Sequence, residues 1–339
     1  LVEILKEFIL GGFPWNPTAI IYYKNLWAMS SLPLIGVYGL GLLTVFCSVC
    51  IFSYIYNSKN KNFILISMTI IIFLYLYGQY RINNHEIVYT NQEVRIIHTY
   101  FDQKEKWNKD YIEQIASMGS LTTVTVFPET SLGYKTSRPN NWITGYIRKE
   151  NNNYFNSIAY MEYTYDKKVL VPFGEYFPLS KFFKILFPEN VFFKNELTKG
   201  DEDQSFYVNI SPLICYEVIF PSFVRNSISD QTTLLVNISN DGWFGNFSGP
   251  KQHFAHARFR SIELGIPLIR SSNKGISGLI GPTGEIINST NSSKTIYLDA
   301  KIPKKLVTTA FAQYGNLFTY FLIVLFFIIG YAIRFKQNS

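Results

Sequence analysis

The chain has little of what redox and metal chemistry need. Of 339 residues, three are cysteine and four are histidine. Cys47 and Cys50 form a C-x-x-C pair inside an uncharged apolar run, where thiols three apart on a helix are packing residues rather than metal ligands or a redox couple. Cys215 therefore stands alone in the remainder of the chain, which excludes a disulfide framework there. His253 and His256, in "HFAH", lack the glutamate and spacing of a zinc-protease helix. No G-x-G-x-x-G leads a helix, so neither a metal nor a nucleotide cofactor is expected. Charge is also scarce, at 16% of residues, and the net +7 is not gathered into a basic patch interleaved with aromatics. Nucleic acid is thus not an expected partner; anionic lipid headgroups account for the balance more economically.

What the chain has instead is long apolar stretches, with 47% hydrophobic and 17% aromatic residues. Residues 31–56, 63–80 and 317–333 each approach the ~20 residues that a helix needs to cross ~30 Å of hydrocarbon. Three membrane spans are expected, with a buried core helix as the competing reading of each. Lys59 and Lys61 flank the first turn and Arg334 and Lys336 follow the last span, so the positive-inside rule puts both on the cytoplasmic side. The intervening segment is then exported. The expected organisation is a membrane region at 1–85, a catalytic domain at 86–312, and a final span with a short tail at 313–339. The opening "LVEILKEFILGGFPW", without an initiator Met or a signal-peptide pattern, reads as the middle of a longer protein.

Between 93 and 305, short β-rich runs alternate with helical patterns. Strands are expected in "EVRIIHTY", "LTTVTVF", "NWITGYI", "YFNSIAYME", "FYVNISPLICY", "TLLVNIS", "IPLIRSS", "ISGLIG" and "KTIYLDA", and helices at 109–118 and 253–264. "GPTG" at 281–284 reads as a β-turn between strands, and "PFGE" at 172–175 as a break that holds a carboxylate on a loop. The segment is one α/β domain.

A thiol attacks when it is ionised near a base or a cation, with a place for the substrate oxygen to develop charge. A cysteine–histidine dyad is one possibility. Carboxylate and lysine are the other. "VFPET" places Glu129 at a strand's carboxyl edge, "YDKKVLVPFGE" offers Lys167, Lys168 and Glu175, and "ICYE" supplies Cys215, Tyr216 and Glu217. Each alone has an ordinary reading: a solvated turn, a surface charge, a small buried hydrophobe. In order, Glu, Lys and Cys at strand ends follow the nitrilase superfamily.

"FPET", "KKVLVPFGEYFP", "LICYEVIFP", "NISNDGWFG", the run from "QHFAHARFRSIEL" to "GPTGEI", and the early "GFPW" resemble the bacterial apolipoprotein N-acyltransferase family over essentially the whole chain. The family has further amino-terminal spans that this sequence lacks. The resemblance implies a nitrilase-like αββα sandwich flanked by transmembrane helices. It implies Cys215 as nucleophile, Glu129 as general base and Lys167 as the oxyanion's cation, with Glu175 and Glu217 orienting the lysine and the site. Tyr216 would give a backbone N–H to the oxyanion and its ring to the pocket wall. Trp107, Asn156 and Trp243 match family residues on the substrate side. Phe127 where the family has Trp, "NDGWFG" for "NDAWFG", and "HTYFDQ" at the start of the domain depart from the pattern and bear on chain preference.

The implied reaction moves a fatty acyl chain from a phospholipid, through a cysteine thioester, to the amino-terminal amine of a diacylglyceryl-apolipoprotein. It would occur at the bilayer, in a multi-pass protein of the bacterial inner membrane with its catalytic domain on the periplasmic side. The aromatic loop at 178–188 would dip into the interface as a lid. A membrane-tethered amidase with the same three residues, or an inactive lipoprotein-binding module, are the alternatives.

Overall fold

The computed structural model describes residues 1–57, 61–102, 104–105, 108–132, 138–178, 196–245 and 247–338. Lys59, Trp107, most of the loop at 178–188 and the side chains of Arg334 and Lys336 lie outside the described residues.

Two sheets face each other. One has six strands in the order β11-β1-β2-β3-β4-β5, where β1 is Tyr89–His98, β2 Val124–Val126, β3 Trp142–Glu150, β4 Asn153–Tyr160, β5 Tyr163–Asp166 and β11 Ile296–Pro303. The other runs β10-β9-β8-β7-β6, with β6 Ile210–Ile214, β7 Leu234–Asn240, β8 Leu268–Asn273, β9 Ser277–Ile280 and β10 Ile286–Thr290. β1, β2 and β3 are mutually parallel, as are β6, β7 and β8, so the carboxyl ends within each set share one edge. Val94, Ile96, Val126, Ile143, Ile214, Val236, Ile238 and Ile269 fill the space between the sheets.

Helices cover both outer faces. Five described helices matter below: α1 (Leu32–Tyr56), α2 (Lys61–Asn83), α3 (Lys109–Ser117), α4 (Gly249–Leu264) and α5 (Leu317–Asn338). Ile115 of α3 packs with Ile97, Phe127 and Trp142 on the six-stranded sheet. Phe254, Ala257 and Leu264 of α4 pack with Leu213, Leu235 and Leu268 on the other. With a helix on one face and a sheet on the other, every residue of β7 is buried, which is why it reads as an apolar run rather than an alternation.

All nine expected strands occur, together with two that the pattern did not announce, β5 and β10. Both are short and half polar ("YTYD", "IINST"), so neither shows an apolar period. The "GPTG" turn joins β9 to β10. α4 begins four residues earlier than expected because Pro250 is tolerated in a first turn, and it ends at Gly265, whose φ of 66° closes the helix left-handed.

Among the described residues, α1 and α2 are long and apolar enough to cross a membrane by length and composition. α5 runs for 22 residues, Leu317–Asn338, through the expected 317–333, and its described apolar part is Leu317–Tyr331. α1 is partly buried by Leu322, Ile323 and Phe326 of α5 and by Phe259 and Ile262 of α4, and the rings of Phe46 and Phe326 stack with centroids 4.4 Å apart. α2 instead leaves Leu65, Ile72, Phe73 and Leu76 exposed, an apolar surface that calls for a cover such as lipid. The amino-terminal segment serves both parts: Ile4, Ala19 and Met29 pack in the cluster that holds α1. Trp15 enters the core beside Tyr216 and Phe254, and its indole N–H donates to Gln252 Oε1 at 2.8 Å.

Candidate active site

Glu129, Lys167 and Cys215 each follow a strand: Glu129 in the turn after β2, Lys167 directly after β5, and Cys215 directly after β6. The fold brings them together. Lys167 Nζ lies 2.7 Å from Glu175 Oε1 and 3.9 Å from Glu129 Oε1, and the lysine side chain is fully buried. Burial alone would push this ammonium down, but Glu175, Glu129 and Cys215 together hold it above the ordinary lysine value. The backbone is fixed on both sides. Lys167 N–H donates to Asn156 O at 2.8 Å, and Gly200 N–H donates to Lys167 O at 2.9 Å. Asp166, one residue earlier, is gripped by Arg148, by Ser157 at 2.5 Å and by Gln204 at 3.0 Å.

Cys215 is a non-glycine residue with φ of 52°, a left-handed conformation that costs about 1–3 kcal/mol and persists only where neighbours hold it. Here they do: His253 Nε2 lies 3.1 Å from the Cys215 carbonyl oxygen and Asn237 Nδ2 3.4 Å from it. Burial, then the charge of Glu129, pushes the Cys215 thiol up to about 12, against the pull of Lys167. The resting thiol therefore carries its proton at neutral pH, and ionising it needs a base at the moment of reaction.

Glu217 does not point at the sulfur. Its Oε2 accepts from Ile214 N–H at 2.7 Å, and its Oε1 accepts from Lys168 N–H at 2.6 Å, Val169 N–H at 3.1 Å and the Tyr165 hydroxyl at 2.9 Å. It brackets the cysteine turn to the lysine segment. Glu175 anchors its own loop, accepting from Val171 N–H at 2.8 Å. The Tyr216 hydroxyl donates to Gly12 O at 2.7 Å, while its N–H belongs to the first turn of a 3-10 helix, where donors have no intrahelical partner. Asn156 Nδ2 donates to Glu129 Oε1 at 2.6 Å and lies 3.4 Å from Glu175 Oε1, so its amide nitrogen is engaged by the carboxylates. Its Oδ1 is buried without a partner among the described residues. Trp243 is 76% exposed on the turn after β7. Trp107 lies outside the described residues.

The structure adds a buried polar frame that the sequence reading did not assemble. Asp241 sits between Arg270 Nη2, at 3.0 and 2.8 Å, and His253 Nδ1 at 2.9 Å. Burial works to raise the Asp241 carboxyl, but Arg270 and then His253 hold it well below the usual range. Burial, then Arg270, pushes His253 down; its Nε2 lies 3.1 Å from Cys215 O, and its Nδ1 lies 2.9 Å from Asp241 Oδ1 and 3.0 Å from Arg270 Nη2. No hydrogen bond joins either histidine of "HFAH" to the sulfur among the described residues; His256 Nε2 donates to Trp15 O at 2.7 Å. The dyad left open by the sequence is replaced by a histidine that holds the cysteine's backbone. Its signal was the shared carboxyl edge of β6, β7 and β8, which carries Cys215, Asp241 and Asn273 in turn.

Residues 141–310 match the carbon-nitrogen hydrolase family, and residues 1–50 match the apolipoprotein N-acyltransferase N-terminal domain. The fold is thus that of the nitrilase superfamily. Solved structures similar to the chain include Nit3 of Saccharomyces cerevisiae (TM-score 0.45, 15% identity, covering 65% of this chain and 92% of that one) and a Nesterenkonia AN1 amidase (0.42, 16%, 63% and 91%). Relatives named apolipoprotein N-acyltransferase occur in Rickettsia prowazekii, 30% identical over 98% of this chain and 74% of the relative, and in Wigglesworthia glossinidia brevipalpis, 31% identical over the same shares. The chain belongs to the apolipoprotein N-acyltransferase family, enzymes of lipoprotein N-acylation in a membrane setting.

Proposed function

We propose that Cys215, Glu129 and Lys167 carry an acyl transfer from a phospholipid to the amino-terminal amine of a diacylglyceryl-apolipoprotein. The observation that carries it is the buried Lys167 held between Glu175 and Glu129, with its charge felt at a strained Cys215. Glu129 takes the thiol proton as sulfur attacks the ester carbonyl, and the oxyanion forms against Lys167 and the Tyr216 N–H. Collapse expels the lysophospholipid alcohol, which leaves with that proton. The amine then attacks the thioester, gives its proton to Glu129 and restores the thiol. Donor and acceptor share one pocket in turn, which predicts ping-pong kinetics.

A lipid donor explains why membrane helices accompany this sandwich. Drawing a roughly 16-carbon chain into water costs about 12 kcal/mol at ~0.8 kcal/mol per CH₂, so the site works at the bilayer surface. Exposed Trp243 and Phe247, on the segment after β7, offer aromatic faces to such a substrate, and Asn156 Oδ1 offers an acceptor beside Glu129. In this reading residues 86–312 are the catalytic domain, lying outside the cytoplasm on a multi-pass inner-membrane protein, with 1–85 and 313–339 its membrane parts.

The test is mass spectrometry after incubation with phospholipid vesicles. The wild type gains an acyl adduct on the peptide containing Cys215; Cys215→Ala gains none while keeping its thermal transition, and Lys167→Ala forms the adduct roughly 10²-fold more slowly or worse. Acyl transfer by Cys215→Ala would overturn the assignment.

A further inference from the structure

Beside the sulfur stands a hydroxyl that the scheme above leaves idle. Ser239, next to last in β7 and fully buried, places its Oγ 3.5 Å from Cys215 Sγ and 2.7 Å from Asp241 Oδ1. A hydroxyl has one hydrogen and can give it to only one of these acceptors at a time. While Cys215 is a thiol, the carboxylate is the stronger acceptor and takes it. Oγ is then free to accept from S–H. Once the thiol proton has gone to Glu129, the anionic sulfur competes for the Ser239 hydrogen. Asp241 can release it at little cost because Arg270 Nη2 still holds both carboxylate oxygens, at 3.0 and 2.8 Å.

We propose that Ser239 is a catalytic residue whose hydroxyl turns from Asp241 to Cys215 Sγ as the thiolate forms. It donates to sulfur when the thiolate attacks the ester, and again when the thiolate departs from the acyl group under attack by the amine. No bond other than hydrogen bonds changes at Ser239, so the proton balance of the two half-reactions is unaltered. The groups facing the sulfur divide in sign. Glu129 from the turn after β2 opposes the anion until it takes the thiol proton, Asp241 after β7 opposes it throughout, Lys167 after β5 favours it, and His253 of α4 lies at the Cys215 carbonyl. Ser239 supplies a dipole that can reverse toward sulfur without bringing in another fixed charge.

This inference rests on Cys215 being the nucleophile, and the experiment separates the two. Iodoacetamide alkylation of Cys215 in the full chain is followed by peptide-resolved mass spectrometry from pH 7 to 9.5, alongside acyl-adduct formation from phospholipid vesicles. Ser239→Thr and Ser239→Val share a shape and differ by the hydroxyl; Ser239→Ala adds a smaller control. Loss of one donor to the thiolate raises the thiol by about one pH unit, and the higher intrinsic nucleophilicity of the more basic sulfur offsets part of this. Alkylation is therefore expected to be roughly three- to tenfold slower in the valine and alanine variants at each pH, and acyl-adduct formation about tenfold slower, with threonine near wild type. Equal alkylation rates in the threonine and valine variants would overturn the role of Ser239. Acyl transfer that survives Cys215→Ala would instead remove the nucleophile, and the serine's catalytic role with it.

Discussion

At the scale of single residues, burial decides which groups can act and which can only hold. Cys215 and Lys167 share a charge field, yet residue Cys215 retains some exposure while Lys167 has none, an arrangement that suits the proposed roles of nucleophile and buried cation. Glu217 is fully buried, and burial pushes its carboxyl up to about 7 against the donors that surround it. Its work is structural: two oxygens satisfy three backbone N–H groups and a tyrosine hydroxyl from two separate segments. Glu217→Ala leaves those donors stranded at about 1–3 kcal/mol each, a loss of roughly 3 kcal/mol or more. The thermal midpoint should fall by about 6–12 °C for a domain of this size. Glu217→Gln keeps one oxygen and should lose less. Equal melting of wild type and alanine variant would refute the bracket. The candidate residues Glu129, Lys167 and Cys215 were legible because each sits in a long motif at a strand end. The Ser239–Asp241–His253–Arg270 frame was not, since its members come from β7, the turn after it, α4 and β8, and only folding brings them together.

At the scale of elements, the site depends on how closely two sheets approach. Gly145 of β3 is the narrow point. A Cβ there would lie 2.7 Å from Thr130 N and from Ile238 Cδ1 and 3.0 Å from Glu129 Cα, so the turn carrying the proposed general base rests directly on this glycine. Thr130 already has φ of 49°, which leaves the turn little room to yield. Gly145→Ala should cost about 1–3 kcal/mol by overpacking. It should also displace Glu129 and slow acyl-adduct formation at least about tenfold, since small misplacements of a catalytic group are expensive. Iodoacetamide alkylation of Cys215 should change less, because on β7 the new methyl meets only the tip of the Ile238 side chain, which can turn aside, whereas at Glu129 and Thr130 it meets backbone. Strands with continuous apolar runs were readable in advance, as β7 shows. β5 and β10 were not, because four or five residues with alternating tyrosine, threonine and asparagine carry too little hydrophobic signal, although β5 is the strand that delivers Lys167.

At the scale of the whole molecule, the question is how apolar helices are joined to a sandwich. α1 is interrupted four residues after its start, at Gly36, with φ of 65° and ψ of 175°. The break frees a carbonyl at Ile35 and an N–H at Val37, and two other elements take them. The Thr319 hydroxyl of α5 donates to Ile35 O at 3.1 Å, and Glu263 Oε1 of α4 accepts from Val37 N–H at 2.7 Å. Glu263 Oε2 pairs with Arg260 Nη2 at 3.0 Å, and both side chains are fully buried. The interruption is thus a joint, with the helix that carries His253 bonded directly into the backbone of a candidate membrane span. A Cβ at Gly36 would strike the Phe311 ring at 2.4 Å, so the joint admits no side chain there. Breaking a buried ion pair from one side costs about 3–5 kcal/mol, and Glu263→Ala also leaves Val37 N–H unpaired. The expected result is a clear drop in melting temperature in detergent. Acyl-adduct formation from vesicle phospholipid should fall at least about tenfold, by misplacement of the site relative to lipid, while alkylation of Cys215 by soluble iodoacetamide stays within about twofold, because that reagent needs no bilayer. Glu263→Gln retains an acceptor for Val37 and should lie between. If the alanine variant slowed both reactions equally, Glu263 would be supporting the sandwich itself rather than the connection between the sandwich and the membrane.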